Sequence, residues 1–250
     1  MLLFSDVPAN TIYKWTEAGG KEVYLKPAGY TGSEPRGGFM GPNGLLMTKN
    51  GQLWICQHGD RRIASVDASH DVPKPNFETV AGMYNGKKLN SPNDFFMTAN
   101  GELYFTDPGY GFEGGLSDPK KELPFQGVYK MNNTGKITLL IDSLQYPNGI
   151  GVFPDGKTLL VANTAGEKRG WYAYDIASDG TLKNGRMFYD PGATKEKGGC
   201  AGLICILASC PFNTMGRASK MSSRLFFITL KFYCTLNQSM SINPPAILVA

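Results

Sequence analysis

Histidine is scarce, cysteine spacing of the metal-binding type is missing, and no apolar run is long enough to cross a bilayer. Only His58 and His70 occur in 250 residues. The five cysteines are Cys56, Cys200, Cys205, Cys210 and Cys234. Three of them are spaced by five, but a zinc set needs a Cys-x2-Cys pair or a nearby histidine, and neither is there. The most apolar stretch, "LFFITLKFYCTL", falls short of the roughly 20 residues of a membrane span and contains Lys231. The start, Met-Leu-Leu-Phe-Ser-Asp, lacks the basic region and the apolar length of a secretory signal. These absences predict a soluble chain without a membrane partner, in the cytoplasm by default; oligomeric state is not readable.

Acidic residues are also missing from one region. Residues 200–250 carry Arg217, Lys220, Arg224 and Lys231 and no Asp or Glu. All 21 acids therefore lie in residues 1–199, and the four tail cations leave 21 of the 25 bases beside them. The net charge of +4 belongs to the tail, and the body is neutral. A nucleic-acid partner needs a basic face interleaved with aromatics. Four scattered cations do not make one, so no nucleic-acid partner is expected.

Turn formers and aromatics are plentiful. There are 31 Gly, 16 Pro, 12 Tyr and 14 Phe. Aromatics favour strands, and Gly with Pro punctuates them, so the composition predicts an all-β fold.

One pattern recurs. Pro42-Asn43-Gly44, Pro92-Asn93-Asp94 and Pro147-Asn148-Gly149 each open a short strand. Seven or eight residues after each Pro-Asn comes a hairpin signal: Asn50-Gly51, Asn100-Gly101 or Asp155-Gly156. A second strand rich in aromatics follows. A repeat of about 50 residues built of strands predicts a β-propeller with one four-stranded sheet per blade. Equivalent positions at the start of inner strands then face one axis, which brings Asn43, Asn93 and Asn148 toward one mouth of the channel. Each is also an ordinary turn residue, and that reading stays open, most of all for Asn43.

Amide carbonyl oxygens suit hard divalent cations such as Ca²⁺, given one or two carboxylates nearby. Such a cation polarises an ester or lactone carbonyl or activates a bound water. Two acids are local. Asp94 adjoins Asn93 and in a strand faces the other way, which suits a structural bond to a neighbouring loop. Asp107, in "FTDPGYG", either caps the Pro-Gly turn or serves the site. His58, in "CQHGDRR", follows a strand and is either a general base or a histidine bonded to main chain. Tyr110 is the candidate for contacting substrate at the mouth.

The stretches "LLFSDVPANTIYKW", "CQHGDRRI", "LNSPNDFFMTANGELYFTDPGYG" and "YPNGIGVFPDGKTLLVAN" resemble the senescence marker protein / gluconolactonase / luciferin-regenerating enzyme family, in particular its microbial and fungal gluconolactonases. The resemblance covers residues 2 to about 199. It implies a six-bladed propeller, one divalent cation in the channel, usually Ca²⁺, and hydrolysis of sugar lactones or related cyclic esters. It also implies that Asn148 ligates the cation and that Asn93 ligates it or contacts substrate beside it.

The chain departs from that pattern at both ends. A Glu-Gly-Pro segment is expected before the strand opening at Leu2, and Met1 starts too late to include it. An Asp-Gly is expected near residue 201, where the chain reads Ala201-Gly202. Both expected carboxylate ligands are thus lacking, as in a gene model that starts late and reads through an intron or shifts frame. The expected architecture is an incomplete propeller of about four blades over residues 1–199, the first incomplete. A divergent, irregular tail follows over 200–250, whose "LFFITLKFY" and "AILVA" runs can add a strand or two. Function follows in two forms. One is a metal-dependent lactonase with weak or absent Ca²⁺ binding and little turnover in this chain. The other is a non-catalytic propeller fragment that binds a ligand or a protein partner.

Overall fold

The turn dipeptides form the hairpins that their spacing predicts. Gly51, Gly101 and Gly156 have φ of 82°, 88° and 70°, the left-handed region that residues with a Cβ resist. In the first, Gly51 N–H donates to the Thr48 carbonyl at 3.0 Å and Thr48 N–H to the Gln52 carbonyl at 2.9 Å. Thr98, Gly101 and Glu102 repeat the same two bonds at the same lengths. The positive φ falls on the glycine alone, so these are three-residue hairpin loops rather than two-residue ones. The loop at Gly156 is one residue longer, closed by Phe153 N–H on the Thr158 carbonyl at 2.8 Å.

The structure is a computed structural model that describes residues 1–167, 169–190 and 248–249. Among them the fold is all-β; the helical content is one 3₁₀ turn at Gly115–Ser117. The strands make four four-stranded sheets. The first joins β1 (Leu2–Asp6), β2 (Thr11–Thr16) and β3 (Gly20–Leu25). The second runs through β4 (Pro42–Met47), β5 (Leu53–Gln57), β6 (Arg62–Val66) and β7 (Phe77–Ala81). A two-stranded hairpin follows, β8 (Met83–Tyr84) with β9 (Lys87–Lys88). The third sheet is β10 (Phe95–Met97), β11 (Leu103–Asp107), β12 (Gly127–Met131) and β13 (Ile137–Ile141). The fourth is β14 (Pro147–Val152), β15 (Thr158–Asn163), β16 (Gly170–Ile176) and β17 (Leu182–Tyr189).

The remaining strand, β18 (Leu248–Val249), lies beside β1 as the fourth strand of the first sheet. It pairs parallel, Leu2 with Leu248 and Leu3 with Val249, whereas β1 pairs antiparallel with β2. The "AILVA" run thus adds one strand. The rest of the expected irregular tail lies outside the described residues. The chain divides at Pro147 into two compact units, one holding the first three sheets with β18 and the other beginning at Asn148.

In the first unit the second sheet is covered on both faces, which explains the nearly unbroken apolar run of β5. Side chains alternate along a strand. Leu53 and Ile55 pack on one face with Leu3, Ile12 and Leu25 of the first sheet. Cys56 packs on the other with Phe95, Phe105 and Tyr129 of the third. The inner strands are also tied directly. Ser5 Oγ donates to the Asn43 carbonyl at 2.6 Å, and Gly44 N–H to the Asn93 carbonyl at 2.8 Å. A Cβ on Gly44 would sit 3.0 Å from that Asn93 oxygen, so glycine permits the approach. In the second unit Leu160, Ala162, Trp171 and Ala173 form a small core with Phe153 and Tyr189.

Candidate functional site

The repeat places its polar residues by register. In the antiparallel pair β4–β5, Pro42 faces Gln57, so Asn43 and His58 emerge at the same end of the sheet. In the next sheet Asn93 N–H donates to the Thr106 carbonyl at 2.9 Å, beside the end of β11. The result is a meeting of three side chains from two sheets. The amide nitrogens of Asn43 and Asn93 each lie 3.3 Å from His58 Nε2. His58 is 1% exposed and Asn93 2%, while Asn43 is half-buried.

The protonation of His58 follows from its partners. Its Nδ1 is 2.9 Å from the Phe39 carbonyl, which only accepts. Nδ1 therefore carries the hydrogen and Nε2 presents a lone pair to the two amide NH₂ groups. Burial lowers the pKa of His58 to about 4, against a smaller opposing effect of the Phe39 carbonyl. The imidazole is neutral at pH 7, with both nitrogens engaged, one of them on main chain.

The carbonyl of Phe39 comes from the loop between β3 and β4, and that loop is pinned at several points. Met40 and Gly41 carbonyls accept from the Gly59 and His58 N–H groups at 2.9 and 3.2 Å. Thr31 bonds Asp60 through its N–H at 3.0 Å and its hydroxyl at 2.7 Å. Arg36 donates to the Gly59 carbonyl at 3.1 Å and also to the Gly111 carbonyl.

Asp107 ends β11, fully buried. Its two carboxylate oxygens accept the N–H groups of Asn90 and Ser91, each at 2.8 Å. Burial raises its pKa to about 7, opposed by those two N–H donors and by Arg61 and Lys121. The carboxylate holds the segment that leads into Asn93 rather than its own Pro-Gly turn. The same strand-end position is filled by Gln57 on β5 and Asn163 on β15, both 0% exposed. Gln57 likewise ties its strand to the preceding loop, donating to the Ala28 carbonyl at 2.9 Å. That series of buried polar strand ends is visible in "CQHG", "TDPG" and "ANTAG" once the register is known. The register is what the sequence does not display.

Tyr110 lies beside the three side chains, its ring 6.3 Å from that of His58 and tilted by 34°. Tyr146 stacks on Tyr110 at 5.6 Å and 20°, an aromatic partner that the sequence reading missed. Ser91 Oγ positions the Tyr110 loop, donating to the Pro108 carbonyl and accepting from Gly111 N–H at 2.9 Å. Asn148 is half-buried near the start of β14, where the second unit begins. Asp94 accepts Phe95 N–H at 2.9 Å, a bond within its own segment.

Asn43 and Asn93 supply neutral oxygens of a kind that hard cations accept. Among the described residues, no group of three or more His, Cys, Asp or Glu side chains gathers to hold a metal ion. The nearby carboxylate of Asp107 is spent on main chain. The described donors therefore do not by themselves fit a divalent cation. No helix among the described residues is long and apolar enough to cross a membrane.

Antiparallel four-stranded sheets repeated at about 50 residues, with polar side chains gathered at one strand end, define a class of all-β repeat proteins. The chain belongs to the SMP-30/Gluconolactonase/LRE-like family, whose description matches residues 1–221. It is 36% identical over 200 residues to the gluconolactonase of Zymomonas mobilis subsp. mobilis, covering 76% of this chain and 55% of that protein. A solved gluconolactonase from Xanthomonas campestris superposes with a TM-score of 0.60 at 30% identity, over 74% of this chain and 57% of that one. A luciferin-regenerating enzyme shares the fold, with a TM-score of 0.58 at 16% identity over 79% of this chain and 59% of that one. The chain spans a little over half the length of these relatives.

Proposed function

We propose that this chain carries the substrate end of a lactone hydrolase of the gluconolactonase type, acting on a sugar lactone or related cyclic ester. The observation that carries the reading is the meeting of Asn43 and Asn93 on the His58 imidazole. Two neutral amide oxygens suit a polyhydroxylated lactone, whose hydroxyls donate to them, and the Tyr110 ring offers an apolar face beside them. The four sheets are taken as blades of a six-bladed propeller, of which 250 residues at about 50 per blade make only a part. In this reading His58 and Asp107 hold the site in position and neither transfers a proton.

A hard divalent cation, calcium first, is the cofactor proposed for the activity, with Asn148 as a residue contributing an oxygen. Were a cation held there, it would supply polarisation of a lactone carbonyl or activation of a water. With no carboxylate gathered among the described donors, its hold on this chain is weak or absent, and turnover by the 250 residues is slow. The test is a pH-stat assay of the full chain on glucono-1,5-lactone with Ca²⁺, beside calorimetric titration of Ca²⁺. Slow saturable hydrolysis above the spontaneous rate, lost in Asn93→Ala, supports the reading. A rate equal to buffer, with no heat on adding lactone or gluconate, overturns it; tight Ca²⁺ binding with rapid turnover overturns the weak-binding part.

One observation favours a second reading, a non-catalytic fragment that binds a ligand or partner. Both nitrogens of His58 and both carboxylate oxygens of Asp107 are already engaged. Saturable lactone binding without any hydrolysis selects this alternative.

A further inference from the structure

The amide orientation at His58 has a chemical consequence that neither asparagine sets alone. A neutral imidazole with its hydrogen on Nδ1 offers Nε2 purely as an acceptor, and an amide meets an acceptor with its NH₂ group. Asn43 and Asn93 both do so at 3.3 Å. Each amide is planar, so each Oδ1 is turned away from the ring. Neither Oδ1 takes a hydrogen bond among the described residues, and neither is sealed in like the buried, unpaired Oδ1 of Asn90. The fixed point of the arrangement is remote in sequence. The Phe39 carbonyl holds Nδ1–H, and the Arg36 and Gly59 bonds hold the loop that carries Phe39.

We propose that His58 is a positioning residue: its Nε2 lone pair draws in the NH₂ groups of Asn43 and Asn93 and so sets both carbonyl oxygens outward as one paired acceptor for the hydroxyls of a polyol-type ligand. Asn43 thereby joins Asn93 as a functional residue. The inference deepens the lactone reading and rests on it for the identity of the ligand. The geometry it claims does not depend on turnover. Without the imidazole acceptor each amide is free to rotate by 180° about its Cβ–Cγ bond and present NH₂ instead of oxygen.

Two measurements on the full chain test this. Long-range ¹H–¹⁵N spectra at pH 7 report which ring nitrogen of His58 bears hydrogen. Hydrogen on Nδ1 with a bare Nε2 is expected; hydrogen on Nε2, or a charged ring, overturns the proposal whether or not the protein hydrolyses lactones. The second is calorimetric titration with gluconate in the absence of metal. His58→Ala is expected to weaken binding about 10- to 100-fold, the range seen when a partner that orients a ligating group is removed. His58→Gln, whose side-chain oxygen can accept from both amides, is expected to recover most of that loss. His58→Ala binding as tightly as the parent overturns the proposal. So does a loss in His58→Ala that His58→Gln, folded by circular dichroism, does not recover. If the parent chain binds no gluconate, the lactone reading fails and the spectra alone decide the inference.

Discussion

Asn43 and Asn93, from equivalent positions of successive repeats in different sheets, direct their amide nitrogens at the same atom, His58 Nε2, each at 3.3 Å. A shared acceptor makes their contributions interdependent. Removing one donor leaves His58 with the other; removing both leaves a buried acceptor with none. Unpaired buried polar groups cost about 1–3 kcal/mol. Each single variant, Asn93→Ala or Asn43→Ala, leaves His58 one donor and is therefore expected to lower stability to urea by less than that, while the double variant meets the penalty in full. The double variant is expected to lose more than the sum of the two, with a coupling of about 0.5–3 kcal/mol. Simple additivity in urea unfolding would show that the two amides do not share the imidazole.

The mouth loop requires a close approach at Gly111. A Cβ there would lie 2.7 Å from the His58 carbonyl oxygen and 2.8 Å from Ser91 Cβ. The clash is with main chain and a short side chain, which cannot swing aside. Gly111→Ala is expected to destabilise by about 1–3 kcal/mol, read as a lowered urea midpoint, and to weaken lactone binding by displacing Tyr110. An unchanged midpoint would mean that the loops have room to separate.

Asp107 sets a pH dependence of defined sign. Its folded pKa is about 7 against an ordinary value of 3.8, because burial outweighs the Asn90 and Ser91 N–H groups. Between those values the folded carboxyl keeps a proton that the unfolded chain has released. The stability it contributes is complete below about pH 4 and is lost as pH rises through 7. The stability of the parent relative to Asp107→Asn is thus expected to decrease by a few kcal/mol from pH 4 to pH 8. Urea midpoints of both proteins across that range check it, and a difference that is flat or grows with pH contradicts it.

Much of the fold is legible in the chain because its signals are local. Gly51, Gly101 and Gly156 are needed where φ is positive, and their spacing from each Pro-Asn reports the hairpins. That Leu53 and Ile55 face one buried side of β5 and Cys56 the other is seen only once the neighbouring sheets are in place. The site was legible only in part. His58 and Asn93 are visible as candidates, and Asn43 reads equally well as a turn residue or a site residue. What decides His58, the Phe39 carbonyl, is a main-chain group on a loop and has no sequence signature. The role of Asp107 was hidden for a similar reason. Its partners are main-chain N–H groups, and its equivalence to Gln57 and Asn163 emerges only after strand register is known. The parallel pairing of β18 with β1 joins the two ends of the sequence, which no local pattern can announce.

Arg36 is expected to be the main fastener of the loop that carries Phe39. It donates to the carbonyls of Gly59 and Gly111, which follow β5 and β11. Hydrogen bonds from a charged donor contribute about 1.5–3 kcal/mol. Arg36→Ala is expected to speed amide hydrogen exchange at His58 and Gly59 while leaving the β15–β16 ladder unaffected. Exchange that is unchanged at His58 would place the loop's hold elsewhere.

The central claim is that the paired amides of Asn43 and Asn93 are where a lactone is bound. It is tested most directly by following the side-chain NH₂ signals of both residues while the full chain is titrated with gluconate. Both pairs are expected to shift together along one saturable curve, and in His58→Ala that curve is expected to move to about 10- to 100-fold higher gluconate. Saturable binding that moves neither pair would contradict it.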